Sequence, residues 1–529
     1  MELKGLLERG YFPKELPKPF TTESYARALD AAYEKNEIIG IEMPGHFGKP
    51  IVKESKIPVA KEVFYSLARG GLLRRQLSIC NPVLFFLLAR EIVKNWQEIK
   101  LVVSGSKFAA TAPEYKTEGR AINGRYPQNG RIPLAIRDRI GARYLLKTDI
   151  SRFYHSIYTH SIPWALHGKK VAKANRKLDS LGNKLDYLVR QGQDGQTVGI
   201  PIGPDTSLVI AEMLMHRVDK ALANASPEAK GHRFIDDYEI SFVNRDEAER
   251  AYHLLDAELA EFELALNIKK TKIEKLPLRL EEEWATYFKS FEFRHSVKFQ
   301  SSDLETYFSK AFEYHRIHND EPVMQWAIAC LSSLRLREEN WELLQRLLLL
   351  SVAPEPACLP FVLTQIIQKR ESKSILVNEL TTLLNTIILE HASLKHSSEV
   401  ANALWGCLAL ELRLFSDTCD KVSSCRDSCV ALLALDCQQN NLTDKKLNKT
   451  VWEEYLNKEE LYGDQWLLAY ESNIKGWLQA KNKHDYVSAD PSFSFLKRRN
   501  VSFYRAKADW DDMELPTTPS FTPYDGNAY

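Results

Sequence analysis

Two adjacent aspartates, Asp236 and Asp237, stand in the run His232-Arg-Phe-Ile-Asp-Asp-Tyr-Glu-Ile-Ser-Phe242. Phe234, Tyr238, Ile240 and Phe242 share one parity, the period-two pattern of a half-buried strand, so the acids fall where a tight hairpin would turn. Aspartate tolerates turn backbone, and a polar hairpin tip is the plain reading of such a pair. The chemical reading is a divalent-cation site, because Mg²⁺ takes one or two carboxylates and leaves its other positions to water and phosphates. A third carboxylate in a fitting setting decides between the two, and Asp149 supplies it. It ends the strand-like segment Tyr144-Leu-Leu-Lys-Thr-Asp149, where the chain turns over into Phe153 and Tyr154.

The elements around these acids must bring them together. Between them lies Gly199-Ile-Pro-Ile-Gly203-Pro-Asp-Thr-Ser207, a loop feeding an apolar helix. Its glycines let backbone approach a ligand closely. After the hairpin, Ala251, Leu254, Leu255, Leu259 and Phe262 recur at helical spacing, and a short strand follows near Lys270. Strand, helices, hairpin, helix, strand is the order of a split βαβ motif, an antiparallel sheet covered on one face by helices. That topology makes Asp149 and Asp236 neighbours. Paired metals held by such carboxylates serve in-line nucleotidyl transfer.

Taken together, the Asp149 block, the Gly199–Gly203 loop with Ser207, Phe234-Ile-Asp-Asp237 and the basic block at Lys270 resemble the palm motifs of reverse transcriptases. The resemblance implies that Asp149 and Asp236 bind both metals, Mg²⁺ or Mn²⁺, with Asp237 assisting in catalysis. It implies that Tyr154 is the aromatic gate excluding a 2′-hydroxyl, and that Gly203 and Lys270 contact the nucleotide. RNA-making relatives usually carry glycine before the Asp pair, where this chain has Ile235, so a DNA-making enzyme is expected. Many reverse transcriptases have Gln where this chain has Ile202, which points to atypical synthesis. With the phrase Arg9-Gly-Tyr-Phe-Pro-Lys-Glu-Leu-Pro-Lys-Pro-Phe20, the pattern is similar to the abortive-infection and related defence-associated bacterial reverse transcriptases. That likeness implies deoxynucleoside triphosphates and RNA, including a dedicated noncoding RNA, as partners. It also implies a homo-oligomer, and a DNA product attached to the protein through a priming side chain. A retron or mobile-element enzyme, and an inactive RNA-binding helical scaffold, are the competing readings.

The expected fold class is α+β, a fingers and palm unit followed by an all-α repeat. The boundaries are 1–142 for a fingers-like region, 143–280 for the palm, 281–480 for HEAT-like helices in the thumb position, and 481–529 for a basic, aromatic segment and tail. The helical expectation rests on Leu-rich, glycine-poor sequence from about 320 to 480, with apolar residues at i, i+3, i+4 and i+7. Net charge is only +1, yet residues 90–147 hold 12 Lys and Arg against 5 Asp and Glu. Such a local excess suits phosphate contacts, and Arg137 and Arg139 are the candidates there for the triphosphate. Cys419, Cys425, Cys429 and Cys437 lack the spacing of a zinc site and read as buried helical thiols. The stretch 493–505 interleaves basic and aromatic residues, which suits either single-strand binding or docking on the core. No secretory leader and no apolar run near ~20 residues is present, so a cytoplasmic protein with no membrane contact is expected.

Overall fold

The computed structural model describes residues 1–34, 57–370, 374–481 and 484–510. Tyr524 and Tyr529, in the tail, lie outside the described residues.

The strands are β1 (Val63–Ala68), β2 (Arg74–Ile79), β3 (Pro113–Tyr115), β4 (Ile122–Gly124), β5 (Tyr144–Asp149), β6 (Lys230–Phe234), β7 (Asp237–Phe242) and β8 (Lys272–Lys275). The last four make one antiparallel sheet in the order β6-β7-β5-β8. Helices lie between β5 and β6, and the helix Arg245–Ala260 lies between β7 and β8, which is the split βαβ order. Period two decides what each strand shows to which side. Tyr238 pairs with Thr148 and donates its hydroxyl to Asp219 of the helix Asp205–Ala225 at 2.7 Å, so this parity faces the helices. The opposite parity carries Lys147, Asp149, Asp237 and Glu239, with Asp149 paired to Asp237 and Lys147 to Glu239.

Beneath the sheet, Arg233 is wholly buried and binds Glu212 at 2.8 Å and Asp219 at 2.7 Å. One guanidinium for two carboxylates leaves a net negative charge, which hydroxyl hydrogen bonds from Ser106, Thr111 and Tyr238 help to stabilise, so the network ties β6 to the long helix.

From Glu283 onward the described residues contain helices and no named strand. The helix Val377–His391 packs on Ser397–Leu410, which packs on Ser428–Gln439, which packs on Trp466–Lys475. This helical region reaches back to the β1–β2 hairpin. The Ala68 amide donates to Ser398 Oγ at 2.9 Å, the Gly71 amide to Glu355 Oε2 at 3.0 Å, and Arg74 pairs with Glu399 at 2.6 Å.

The aromatic segment near the C-terminus docks on the core. Phe493, Phe503 and Tyr504 are fully buried, Phe503 against Tyr11, Phe12 and Tyr25, and Tyr504 against Phe20. These rings therefore present no face on which a base could stack. The four clustered cysteines are buried free thiols, three of them in helices as expected and Cys425 in the turn between two helices.

Candidate active site

The hairpin turn is displaced by one residue from its expected place. Phe234 pairs with Asp237, so Ile235 and Asp236 make the two-residue loop and Asp237 opens β7. Ile235 has φ 59°, a conformation in which a β-branched residue is strained. Three bonds hold it there. The Ile235 amide donates to Thr111 Oγ1 at 2.9 Å, its carbonyl accepts from Arg233 at 2.6 Å, and the Asp236 carbonyl accepts from the Ile150 amide at 3.1 Å. The strained turn thus fixes Asp236 beside the end of β5, where Asp149 stands.

The electrostatics follow from three carboxylates converging at one sheet end. Burial, then the like charges of Asp149 and Asp237, push the Asp236 carboxyl up to about 7. Its neighbours hold cations. Lys270 Nζ lies 2.9 Å from Asp149 Oδ2, and Asn267 Nδ2 donates to Asp149 Oδ1 at 3.1 Å. Arg131 lies 2.6 Å from Asp237 Oδ2 and stacks over the Phe234 ring at 4.3 Å. An all-oxygen, anionic donor set with one carboxyl crowded by two others fits a hard divalent cation.

Tyr154 and Ile235 wall a cavity of about 400 Å³, together with Ile202, Gly203, Tyr126 and Gln128. Gly203 has φ 126°, and a Cβ there would meet Pro13 at 2.6 Å, so the loop needs glycine. The Gly203 carbonyl accepts from Arg120, which is itself held by Asp205 at 2.9 Å. The hairpin arginines Arg69 and Arg75 feel the charge of Asp236. Burial, then the neighbouring Arg69, lowers Arg75 to about 10.

Asp149, Asp236, Asp237 and Lys270 therefore meet at one place, with Tyr154 and Gly203 in the adjoining cavity. Arg137 and Arg139 do not join them. Arg137 turns to its neighbour Asp138 at 2.7 Å, and Arg139 is engaged by Glu239 at 2.8 Å, two residues farther along β7 than Asp237. Their places in the charge balance are taken by Arg131, Arg69 and Arg75. Arg131 belongs to the same basic run, and the Arg69-Gly-Gly-Leu-Leu-Arg-Arg75 hairpin carries a readable signal, basic residues around a glycine turn.

The family model for reverse transcriptase (RNA-dependent DNA polymerase) matches residues 89–299. Residues 89–299 are a reverse transcriptase domain. All three carboxylates, Tyr154 and Lys270 fall within it. The chain is also similar to telomerase from Candida albicans, solved in complex with a TWJ fragment of telomeric RNA, at 10% identity and a TM-score of 0.28 over 72% of this chain. It spans 63% of that protein. Apo telomerase from Candida tropicalis matches at 14% identity and a TM-score of 0.32, over 74% of this chain and 70% of that one. No curated protein matches the sequence. Among the described residues no helix is long and apolar enough to cross a membrane.

Proposed function

We propose that this protein is a reverse-transcriptase-type DNA polymerase of bacterial antiphage defence, joining deoxynucleotides by two-metal phosphoryl transfer. The observation that carries the polymerase reading is the convergence of Asp149, Asp236 and Asp237 at one sheet end, inside the reverse transcriptase domain. Asp149 and Asp236 would hold the divalent ions, Mg²⁺ or Mn²⁺, with Asp237 assisting. Bound there, such ions neutralise triphosphate charge and favour ionisation of the attacking hydroxyl. Lys270, Arg69 and Arg75 surround the site with positive charge for the triphosphate. Tyr154, a cavity wall residue, is the gate that excludes a ribose 2′-hydroxyl in this reading, which selects deoxynucleotides.

The defence assignment rests on the sequence resemblance and on the helices after Glu283, which we read as a HEAT-like repeat in the thumb position. Ile202 leaves an apolar wall in the cavity, which supports synthesis without strict templating. A noncoding RNA, a homo-oligomer, a cytoplasmic setting and a protein-attached DNA product belong to the same reading. The test is incubation of the purified protein with each labelled deoxynucleotide and Mg²⁺ or Mn²⁺, without primer or template, beside Asp236→Ala. Incorporation confined to the parent supports the assignment, and equal incorporation by the variant overturns it. Label released only by protease marks protein priming, and loss of activity after ribonuclease marks a bound RNA template.

A further inference from the structure

The turn between the helices Val377–His391 and Ser397–Leu410 gathers three ligand-type side chains far from the palm. His391 closes the first helix, His396 precedes the second, and Glu399 lies in the second helix's first turn. The two Nδ1 atoms face each other at 2.8 Å. Glu399 Oε1 lies 3.6 Å from the nitrogen of His391 and 3.4 Å from that of His396. A tetrahedral zinc ion with ligands at about 2.0–2.1 Å sets neighbouring donor atoms roughly 3.3–3.5 Å apart. The His396–Glu399 separation falls within that spacing and the His391–Glu399 separation lies just beyond it. The nitrogen pair must open by about half an ångström, which ring rotation supplies.

The surroundings also suit a ligand set. Ser398 Oγ donates to Glu399 Oε2 at 2.7 Å, and Arg74 binds Oε1 at 2.6 Å and Oε2 at 2.9 Å. Hydrogen bonds of this kind orient a ligating carboxylate. Arg74 also sets a limit on affinity, since its charge opposes a cation at Oε1. His396 lines a cavity of about 390 Å³ with Phe64, Gln76 and Asp427, which offers an ion a route from solvent. Two imidazoles and one carboxylate favour zinc and its transition-metal neighbours over Mg²⁺.

We propose that His391, His396 and Glu399 bind one zinc-class ion at the junction of the helical region with the β1–β2 hairpin. The ion would pin the turn between two helices, and through Glu399 it would share a ligand with Arg74 of the hairpin. Metal-free full-length protein, titrated with Zn²⁺ and separately with Co²⁺, tests this. One saturable equivalent is expected in the Asp149→Ala/Asp236→Ala variant, whose palm site is removed, with a cobalt spectrum of nitrogen and oxygen ligation. His391→Ala/His396→Ala should weaken binding at least tenfold, whereas Asp149→Ala/Asp236→Ala should leave it unchanged and so separate this site from the palm. If the double variant does not fold, His396→Gln alone gives the same reading. Absence of saturable binding in the palm variant, equal affinity in the histidine variants, or a thiolate-to-cobalt charge-transfer band overturns the proposal. The first of these outcomes would leave a plain hydrogen bond between the two rings.

Discussion

Arg131 lies 2.6 Å from Asp237 and 4.3 Å above the Phe234 ring, so one guanidinium braces both strands of the hairpin that carries Asp236. A charge-assisted bond of this type contributes about 1.5–3 kcal/mol. Arg131→Ala should lower kcat/KM for deoxynucleotide incorporation about 10- to 100-fold while circular dichroism stays unchanged. Arg131→Lys should recover only part of the loss, because an ammonium keeps the charge without the planar stacking. Steady-state incorporation by the three proteins, side by side, checks the order.

The hairpin arginines reach the site because the helical region holds the hairpin. Arg74 contacts Glu399 from a position 325 residues away in the chain, and the Ala68 and Gly71 amides bond to Ser398 and Glu355. Arg74→Met removes the ionic part of this clamp. Hydrogen exchange over residues 67–75 should quicken about 10- to 100-fold, from about 1.5–3 kcal/mol of lost local stability. The KM for deoxynucleotide should rise in the same variant. Unchanged exchange would show that the hairpin holds itself.

The buried Arg233 network has no such freedom. Arg233→Met leaves Glu212 and Asp219 in the interior without their cation, at a cost of about 3–5 kcal/mol. The guanidinium midpoint should fall accordingly. A variant in which both acids are also replaced by apolar residues should recover much of the loss, as the penalty comes from stranded charge.

The motifs that form the site were legible because each is short and locally patterned. Asp149 and Asp236 could be paired from topology, since the split βαβ order alone places their strand ends side by side. The exact turn was not legible. Propensity disfavours an isoleucine at positive φ, so the sequence put both acids in the turn. Thr111, 124 residues before Ile235, supplies the bond that holds the strain, and no local pattern announces it. Arg139 misled for a similar reason: a basic run shows charge, but only the register of Glu239 on β7 decides which arginine is already engaged. The docking of Phe503 on Tyr11 and Tyr25 joins opposite ends of the sequence, beyond any periodicity argument.

Tyr154 and Ile202 wall the same cavity, and under the proposed function they act on nucleotide choice in different ways. Tyr154→Ala removes a ring that is almost fully buried and enlarges the cavity. The ratio of kcat/KM for ribonucleotides to that for deoxynucleotides should rise about 10- to 200-fold, the range for a steric pocket contact. Ile202→Gln restores a polar side chain and should sharpen the preference for a templated base. Competition assays with paired nucleotides read both effects.

Glu62 gives a pH test that does not involve catalysis. It is buried beside Ser78, whose hydroxyl donates to Oε2 at 2.5 Å, and Oε1 has no hydrogen-bond partner among the described residues. Burial raises its carboxyl from the ordinary 4.5 to about 7. The folded protein therefore keeps this proton to higher pH than the unfolded chain does. Its contribution to stability is complete below about pH 4.5, declines as pH rises toward 7, and is lost above that. Glu62→Gln retains the shape without the ionisation. It should be about 1–3 kcal/mol more stable than the parent at pH 8, and close to it at pH 4.5. Denaturant unfolding at the two pH values measures the difference, and an equal gain at both would show that the effect is packing, with no ionisation behind it.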